Sequence, residues 1–348
     1  MKALPHRVDR RAFIGSAAAV MAGLPCSLQA APSQRPSLAR VIIDNDFAGD
    51  PDGLFQLAHH LLSPSVHIPI IVSSHLPPMF GGASSAADGL AKAKQLLAVL
   101  KTARTPHMLT GSESSIASRD AWKPSPATAA IIREAMREDR NEPLVYAAGA
   151  GLTELALAWL AEPRIGRRLK LVWIGGREHS GIAYPPPGPD EAEFNFSIDP
   201  LAAQLIFNES DIEIWQVPRD AYRQLLFSSA EMQDLATSGP LGRFLKLQMD
   251  DMASKLAAIP AFSGMPSTEV HVLGDSPLVT LTALLAPVHP DPSSSRYILQ
   301  PTPSLSSDGA YVDRPDGRLM RVYTSIDAGL TIRDMVHKFR RPEAHREH

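Results

Sequence analysis

The chain has a single cysteine, Cys26, and it lies close to the N-terminus. The rest of the chain therefore cannot form a disulfide framework, a thiolate nucleophile or a cysteine-based zinc site. A basic excess is also missing, because 34 lysines and arginines face 37 aspartates and glutamates, for a formal net charge of −3. Without clustered basic charge we expect neither nucleic acid nor a membrane surface as partner. Beyond the N-terminal region no apolar run is long enough for a membrane span.

Residues 1–31 have the three-part pattern of an export signal. Basic residues, including the pair Arg10–Arg11, precede an apolar run from Phe13 to Leu24, and small residues follow it. The paired arginines are similar to a twin-arginine signal. We predict a signal peptide at 1–31, a linker at 32–38 and one domain at 39–348. The mature protein would then be periplasmic or secreted.

Strands and helices alternate along the rest of the chain. Apolar, β-branched runs predict buried strands at 39–43, 68–73, 144–147, 169–174 and 212–215, with a last strand at 318–325. Helical spacing predicts helices at 85–100, 152–160, 200–208 and 328–339, and loops are expected at 183–190 and 287–308. Near-continuous apolar strands are typical of a sheet covered on both faces. We therefore predict one α/β domain with a mostly parallel open sheet and helices on both faces.

Four carboxylates follow the first predicted strand within nine residues, at Asp44, Asp46, Asp50 and Asp52. Ligands of open α/β sheets bind at the carboxyl ends of the strands. Carboxylates crowded there repel one another unless a cation is bound, and oxygen ligands of this kind suit Ca²⁺ or Mg²⁺. The alternative is a solvated turn in which Asp50 or Asp52 caps the following helix.

Two other acidic motifs share part of this pattern. An EF-hand loop needs an acidic residue at its twelfth position, which is Phe55 when counted from Asp44, so that motif is excluded. Phosphotransferases of the haloacid-dehalogenase type also open with a strand and Asp-x-Asp. In that interpretation Asp44 would be the nucleophile and Asp46 the acid/base. The likeness is local, because Ala48 stands where that family has a hydroxyl or a small β-branched residue.

Several segments resemble, in the same order, those of the inosine/uridine-preferring nucleoside hydrolase family. The acidic loop is similar to its opening fingerprint, Asp-x-Asp-Pro-Gly-x-Asp-Asp. Residues 150–158 resemble Gly-Pro-Leu-Thr-Asn-Leu-Ala, and residues 170–176 resemble Val-Val-x-Met-Gly-Gly. The most specific match is 192–203, which is similar to Ala-Glu-Phe-Asn-x-x-x-Asp-Pro-x-Ala-Ala. Residues 274–277 stand where the family has an aspartate opening a helix, so the resemblance spans about 41–340.

The resemblance implies a Ca²⁺-dependent N-glycosidase that cleaves the bond between ribose and base through an oxocarbenium-like transition state. Asp46 would be the general base for a water molecule whose pKa the metal lowers. The implied metal ligands are Asp46, Asp52, Asp275 and the backbone carbonyl near Gly149. The implied substrate-binding residues are Asp50, Glu193 and Asn195, which would discriminate against deoxy-sugars.

The chain departs from the family at the groups that contact substrate and leaving group. The family has an asparagine after its second strand, where this chain reads Val72 to His75, and a histidine at the position of Gly274. The acidic pair is also separated by Pro51, and we expect Asp52 to be the ligand because it leads directly into the helix. A leaving-group proton would have to come from another residue, and the candidate histidines are His75, His179 and His271.

Two alternatives follow from these departures. Glu193 and Asn195 could belong to a helix-capping loop ahead of Asp199, itself a candidate N-cap. The whole protein could be a non-catalytic or weakly catalytic metal-dependent binder of sugars or nucleosides. In either case the partner is a small nucleoside or glycosyl compound. Family members often form dimers or tetramers, so a homo-oligomer is a further expectation.

Overall fold

A nine-stranded sheet forms the centre of the computed structural model, which describes residues 37–102, 105–259, 264, 268–286 and 295–345. The predicted signal peptide at 1–31 and most of the predicted linker lie outside the described residues. The strands are β1 (Ala39–Asn45), β2 (Val66–His67), β3 (Ile70–Ser73), β4 (His107–Thr110), β5 (Leu144–Ala148), β6 (Lys170–Ile174), β7 (Glu213–Val217), β8 (Leu226–Ser228), β9 (Val270–Val272), β10 (Arg296–Pro301), β11 (Ser304–Leu305), β12 (Tyr311–Val312) and β13 (Leu319–Ser325).

The order of strands in this sheet is β10-β13-β7-β6-β5-β1-β3-β4, with β2 also beside β1. Every pair is parallel except β10 with β13, which is antiparallel. Two small antiparallel pairs, β8 with β9 and β11 with β12, lie outside the sheet. The predicted fold class, a mostly parallel sheet in an α/β domain, is confirmed.

Helices connect most of the strands. They are α1 (Asp52–Leu61), α2 (Pro78–Gly81), α3 (Ser85–Leu100), α4 (Thr128–Ala135), α5 (Thr153–Ala161), α6 (Phe194–Ile198), α7 (Pro200–Gln204), α8 (Arg219–Tyr222), α9 (Ser229–Thr237), α10 (Pro240–Ala258), α11 (Pro277–Thr282) and α12 (Ala328–Arg340). Short 3-10 helices occur at Gly82–Ser84, Pro163–Arg167 and Pro342–His345, and a π-helical turn continues α7 over Leu205–Glu209. None of the helices in these ranges is long and apolar enough to cross a membrane.

The sheet separates two apolar cores, one on each face. One core packs β1 against helices that include α1, α3, α11 and α12, and the other packs it against α4, α5 and α7. Side chains alternate between the faces of a strand, so Val41 and Ile43 belong to the first core and Ile42 to the second. By the same alternation Asp44 faces the α5 side, and Asn45 faces the α1 side.

The expected loop at 287–308 is wrong in its described part, because β10 and β11 occupy much of residues 295–308. β10 is the edge strand of the sheet, and four of its six residues, including Leu299, are exposed. Its arginine, glutamine and proline break the apolar run by which a buried strand is recognised. The predicted helices at 85–100 and 328–339 are confirmed almost residue for residue as α3 and α12.

A buried histidine on α1 makes the stability of the fold depend on pH. His59 is fully buried, and its Nε2 lies 2.7 Å from Oδ2 of Asp334 on α12. Burial lowers the pKa of His59 from 6.5 to about 4, so the unfolded chain takes up a proton before the folded one as pH falls. The corresponding stability is present above about pH 6.5 and is lost towards pH 4, and at about pH 5 the loss is about 2 kcal/mol.

Urea unfolding at neutral pH and at about pH 5 checks this prediction. The parent protein should lose more stability between the two conditions than a His59→Gln variant does. Exposed His337 on α12 provides the control, since His337→Gln should show the parental difference. An equal loss in the parent and in His59→Gln would contradict the prediction.

Candidate active site

A cavity of about 260 Å³ opens at the carboxyl end of the parallel strands. The acidic loop after β1, Gly149 after β5, Ile174 at the end of β6, the start of α6, the end of α8 and the turn before α11 all contribute to it. Its lining consists of Asp46, Asp50, Asp52, Gly149, Ile174, Glu193, Phe194, Asn195, Tyr222, Arg223, Val272, Gly274 and Asp275. All seven residues that the sequence singled out as metal or substrate ligands are among them.

The acidic loop is anchored to the apolar core of the domain. Phe47 is fully buried beneath it, and a turn closes where the Gly49 N–H donates to the Asp46 carbonyl at 2.7 Å. Helix α3 approaches closely because it carries Gly89, where an added Cβ would lie 2.9 Å from the Ala48 nitrogen. Phe47 and Ala48 stand where the family fingerprint has Pro-Gly. Here the buried ring of Phe47 and the close approach of α3 fix the loop instead.

Asp52 is the first residue of α1 and faces the C-terminal part of the site. Its Oδ2 accepts the backbone N–H of Asp275 at 3.2 Å. Asp50 is exposed and accepts the backbone N–H of Asp52 at 3.3 Å. Both carboxylates also line the cavity. The helix-capping alternative accounts only for the hydrogen bond from the Asp52 N–H to the Asp50 carboxylate.

Each carboxylate of the cavity makes ionisation of its neighbours less favourable. Burial raises the pKa of Asp46 well above its ordinary value, and the nearby Asp275 and Asp50 raise it further. Burial also raises the pKa of Asp52, again with Asp275 and Asp50 contributing. A bound cation would reverse this effect, because it stabilises the ionised forms.

The donor set suits calcium in its chemistry. Four carboxylates and the Gly149 carbonyl offer only hard oxygen ligands. Within the described ranges, no group of three or more acidic, histidine or cysteine side chains already has the geometry of a complete metal site. Binding of a cation would therefore have to draw these carboxylates together.

Gly149 leaves the space in which these groups meet. A methyl group there would overlap the Asn45 side-chain nitrogen and lie 2.7 Å from Asp275 Oδ1. On the expectation that these groups hold a catalytic cation, Gly149→Ala should lower turnover by about 10–100-fold, the usual cost of displacing groups that support a metal site. Gly329→Ala is the control, since its nearest neighbour would be Asp327 Oδ1 at 3.6 Å. Steady-state kinetics of both variants test this, and parental turnover in Gly149→Ala would contradict the close packing.

Glu193 and Asn195 form the wall opposite the acidic loop. Glu193 Oε2 accepts the backbone N–H groups of Gly176 and Phe196 at 2.7 and 3.0 Å, so it does cap α6. Its other oxygen accepts the hydroxyl of Tyr222 at 3.0 Å. Asn195 donates its amide to the carbonyls of Gly149 and Ile174 at 3.1 and 2.8 Å. Glu193 thus combines capping with cavity lining, whereas Asn195 lines the cavity without capping a helix.

Asp199 lies outside the cavity lining and is a helix cap, as the sequence indicates. One of its oxygens accepts the Ala202 N–H at the start of α7, at 3.0 Å. The other accepts the Ile116 N–H and the Thr153 hydroxyl. Asp199 therefore links α7 to the loop before α4 and to α5.

Asp44 lies behind the cavity. It is fully buried, and its two oxygens accept the hydroxyls of Ser74 and Tyr146, the latter at 2.6 Å. A carboxylate with this environment has no path to a phosphoryl group. The geometry therefore argues against the phosphotransferase interpretation, in which Asp44 is the nucleophile.

The three candidate histidines do not line the cavity. His179 is buried, stacks on Tyr311 at 4.0 Å between ring centroids, and its ring nitrogens bond Gln216 and Gln300. His75 is buried after β3, and His271 lies on β9 beside Ser229. No residue of the cavity lining in the described ranges is a histidine.

Three polar residues of the site were not predicted from the sequence. Asn45 bonds Asp275 from beneath the cavity, and Tyr222 and Arg223 line it at the end of α8. Asn45 stands between two aspartates of the acidic motif, so its position was a usable signal. Tyr222 and Arg223 carried none, since they follow β7 in a segment without a motif.

A larger cavity, of about 540 Å³, lies at the opposite end of the sheet, near the start of β3 and β4. Its one acidic lining residue, Glu134, is already paired with Arg40 at 2.5 Å. Among the described residues that line it, there is therefore no cluster of uncompensated carboxylates.

Comparison with known proteins identifies the family. Residues 41–341 match the model of the family described as inosine-uridine preferring nucleoside hydrolase. Over 107 residues the chain is 38% identical to the inosine-uridine preferring nucleoside hydrolase of Leishmania major, covering 30% of this chain and 32% of that protein. Over 68 residues it is 48% identical to the enzyme of the same name from Crithidia fasciculata, covering 19% of each. The aligned stretches thus span a third or less of these relatives' lengths.

The solved structures show the same fold. A purine-preferring ribonucleoside hydrolase from Gardnerella vaginalis superposes with a TM-score of 0.66 at 16% identity, covering 88% of this chain and 99% of that one. At that identity the likeness concerns the fold alone, whereas the family match covers most of the sequence. The chain belongs to the inosine-uridine preferring nucleoside hydrolase family, a family of N-glycosidases.

Proposed function

We propose that this protein hydrolyses the N-glycosidic bond of ribonucleosides and that it uses Ca²⁺ as cofactor. One observation supports the proposal above all others. The seven residues to which the family resemblance gives metal or substrate roles come from separate segments of the chain, and all of them line one cavity at the carboxyl end of the sheet. The relatives' names concern inosine, uridine and purine ribonucleosides, so ribonucleosides are the substrate class we propose.

In this proposal the residues of the cavity divide the chemistry between them. Calcium, when bound to Asp46, Asp52, Asp275 and the Gly149 carbonyl, would supply Lewis-acid activation of water and grip ribose hydroxyls. Asp46 accepts a proton from water as the water oxygen bonds to C1′ and the bond from C1′ to the base nitrogen breaks. Asp50, Glu193 and Asn195 hold the ribose hydroxyls. The base leaves with the electron pair of the broken bond and takes its proton from solvent, since no histidine is among the described residues that line the cavity.

Reducing-sugar release from a panel of purine and pyrimidine ribonucleosides tests the proposal. Release should require calcium and should stop with a chelator. The matched 2′-deoxyribonucleosides should be far poorer substrates, by about 10⁴-fold in kcat/KM, because buried partners of the missing hydroxyl would be left unpaired. Release that persists undiminished in the chelator would contradict the metal dependence.

A second candidate is a binding protein with little or no turnover. It is favoured by the lack of a histidine in the described cavity lining, since a general acid is worth about 10²–10⁴ in rate. Calorimetry with the same nucleosides separates the two. Calcium-dependent binding without sugar release would replace the hydrolase proposal with this one.

We also propose that residues 39–348 act outside the cytoplasm after removal of 1–31. The support is the pattern of the first 31 residues, which lie outside the described ones. The intact mass of the protein recovered from a periplasmic fraction tests this. A full-length mass, or protein confined to the cytoplasm, would contradict it.

A further inference from the structure

Asn45 is a fully buried polar residue that connects the two halves of the site. It ends β1 on the face that packs against α1. Its Oδ1 accepts the backbone N–H of Asp46 at 2.8 Å, and its Nδ2 donates to Asp275 Oδ2, also at 2.8 Å. One side chain thus bonds the proposed general base and a proposed metal ligand that lies 230 residues away in sequence.

Two glycines shape the slot that holds the Asn45 amide. An added Cβ at Gly53, on α1, would lie 2.9 Å from Asn45 Oδ1, and one at Gly149 would overlap its Nδ2. Neither position has room for a side chain while the amide occupies the slot. The amide is therefore enclosed on both sides, and its orientation is fixed by packing as well as by hydrogen bonds.

A buried polar chain supports the amide from below. Asn45 Nδ2 also approaches Gln56 Oε1 at 3.4 Å, and Gln56 bonds His60 one turn further along α1. His60 Nε2 then lies 2.8 Å from the hydroxyl of Thr282, the last residue of α11. All three supporting side chains are at most 1% exposed. Polar groups buried this deeply are costly unless every member is bonded.

We propose that Asn45, supported by Gln56 and His60, is a positioning residue that fixes the carboxylate of Asp275 for cation binding. This inference rests on the calcium site of the proposed function. The Asn45 amide holds Asp275 Oδ2, while Oδ1 lies on the side of Gly149, whose carbonyl is the neighbouring proposed ligand. Asp275 is then the fixed element towards which the more exposed carboxylates of the acidic loop move when a cation binds.

The amide is suited to this role because it is neutral and a donor. A carboxylate at position 45 would add another negative charge beside Asp46 and Asp275, and an apolar residue would leave Asp275 Oδ2 without its partner. Groups that orient metal ligands from behind typically contribute about 10–100-fold to metal affinity.

Calcium titration of the metal-free full-length protein by calorimetry tests the inference. Asn45→Ala should raise the Kd for calcium by about 10–100-fold, and Gln56→Leu, which removes one supporting acceptor at similar volume, by about tenfold, the lower end of that range. Asn208→Ala is the control. Asn208 also bonds through both side-chain atoms, to the backbone of Leu305 at 2.8 and 3.0 Å, but away from the site. It should lower the Tm without changing the Kd.

The outcomes separate the two proposals. A parent protein that does not bind calcium would overturn the calcium site and this inference with it. A parent that binds calcium, with Asn45→Ala binding equally well, would overturn the positioning role alone. If Asn45→Ala does not fold, the Kd of Gln56→Leu is the test. An unchanged Kd for calcium in that variant would contradict the proposal, because the support of Asn45 by Gln56 is part of it. An Asn208→Ala variant with an equally raised Kd would reduce the effect to general stability.

Discussion

Asp46→Asn should lower turnover of the best ribonucleoside substrate by about 10²–10⁴-fold, the range typical for loss of a general base. Asparagine keeps the shape of the side chain but cannot accept a proton from water. It also removes one negative charge from a group of carboxylates that raise one another's pKa. The fold should therefore be kept, and in the presence of chelator the Tm should equal or exceed that of the parent in the same chelator.

The measurement is kcat at saturating calcium, together with thermal unfolding. Asp251→Asn is the matched control, because Asp251 is exposed on α10 and pairs with Lys255 one turn along the same helix. Its turnover should equal that of the parent. If Asp46→Asn keeps turnover within about threefold of the parent, the general base is another residue, and the role carried over from the family resemblance is wrong for this chain.

Removal of calcium should abolish turnover and lower the Tm by about 5 °C. A ligand present at about 100 times its Kd stabilises the folded state by about 2.7 kcal/mol. In domains of this size each kcal/mol corresponds to roughly 2 °C. The physical reason is the repulsion among Asp46, Asp52 and Asp275, which is relieved only by protons when no cation is present.

Thermal unfolding with calcium and with a chelator measures the effect, and calcium added back should restore both Tm and turnover. An Asp275→Asn variant keeps the side-chain shape and should respond much less to calcium. Equal Tm values in calcium and in chelator, for the parent, would contradict the proposed metal site. Turnover that survives in the chelator would contradict the role of the metal in catalysis.

The parts of the fold that the sequence predicted are those with a strong local signal. β1 is a seven-residue buried run, and the helix at 85–100 has an uninterrupted apolar face. β4 was missed because its four residues lie at the sheet edge, are only partly buried and begin with an exposed histidine. An edge strand buries little, so hydrophobic pattern does not identify it.

The candidate site likewise contains residues that could be predicted from the sequence and residues that could not. The carboxylates, Glu193 and Asn195 belong to motifs with fixed spacing, so their identity could be predicted one by one. The role of Asn45 could not, because it depends on which helix faces each side of β1 and on the position of Asp275 far along the chain. Likewise, Asp44 and Asp46 have the same chemistry in the sequence. They differ in position because β1 ends at Asn45, between them. Asp44 still belongs to the strand and lies on the α5 side of the core, whereas Asp46 follows the strand and lines the cavity.

The bond between Asn45 and Asp275 has a consequence for the order of events during biosynthesis. The acidic loop is translated early, whereas Asp275 and α11 follow only after most of the sheet has been made. A nascent chain thus carries several crowded aspartates for most of its synthesis without the residue that would complete a cation site. Contacts between such distant segments form late, because the intervening chain must be ordered first. Gain of calcium affinity by ribosome-bound chains of increasing length would therefore report the docking of the C-terminal quarter.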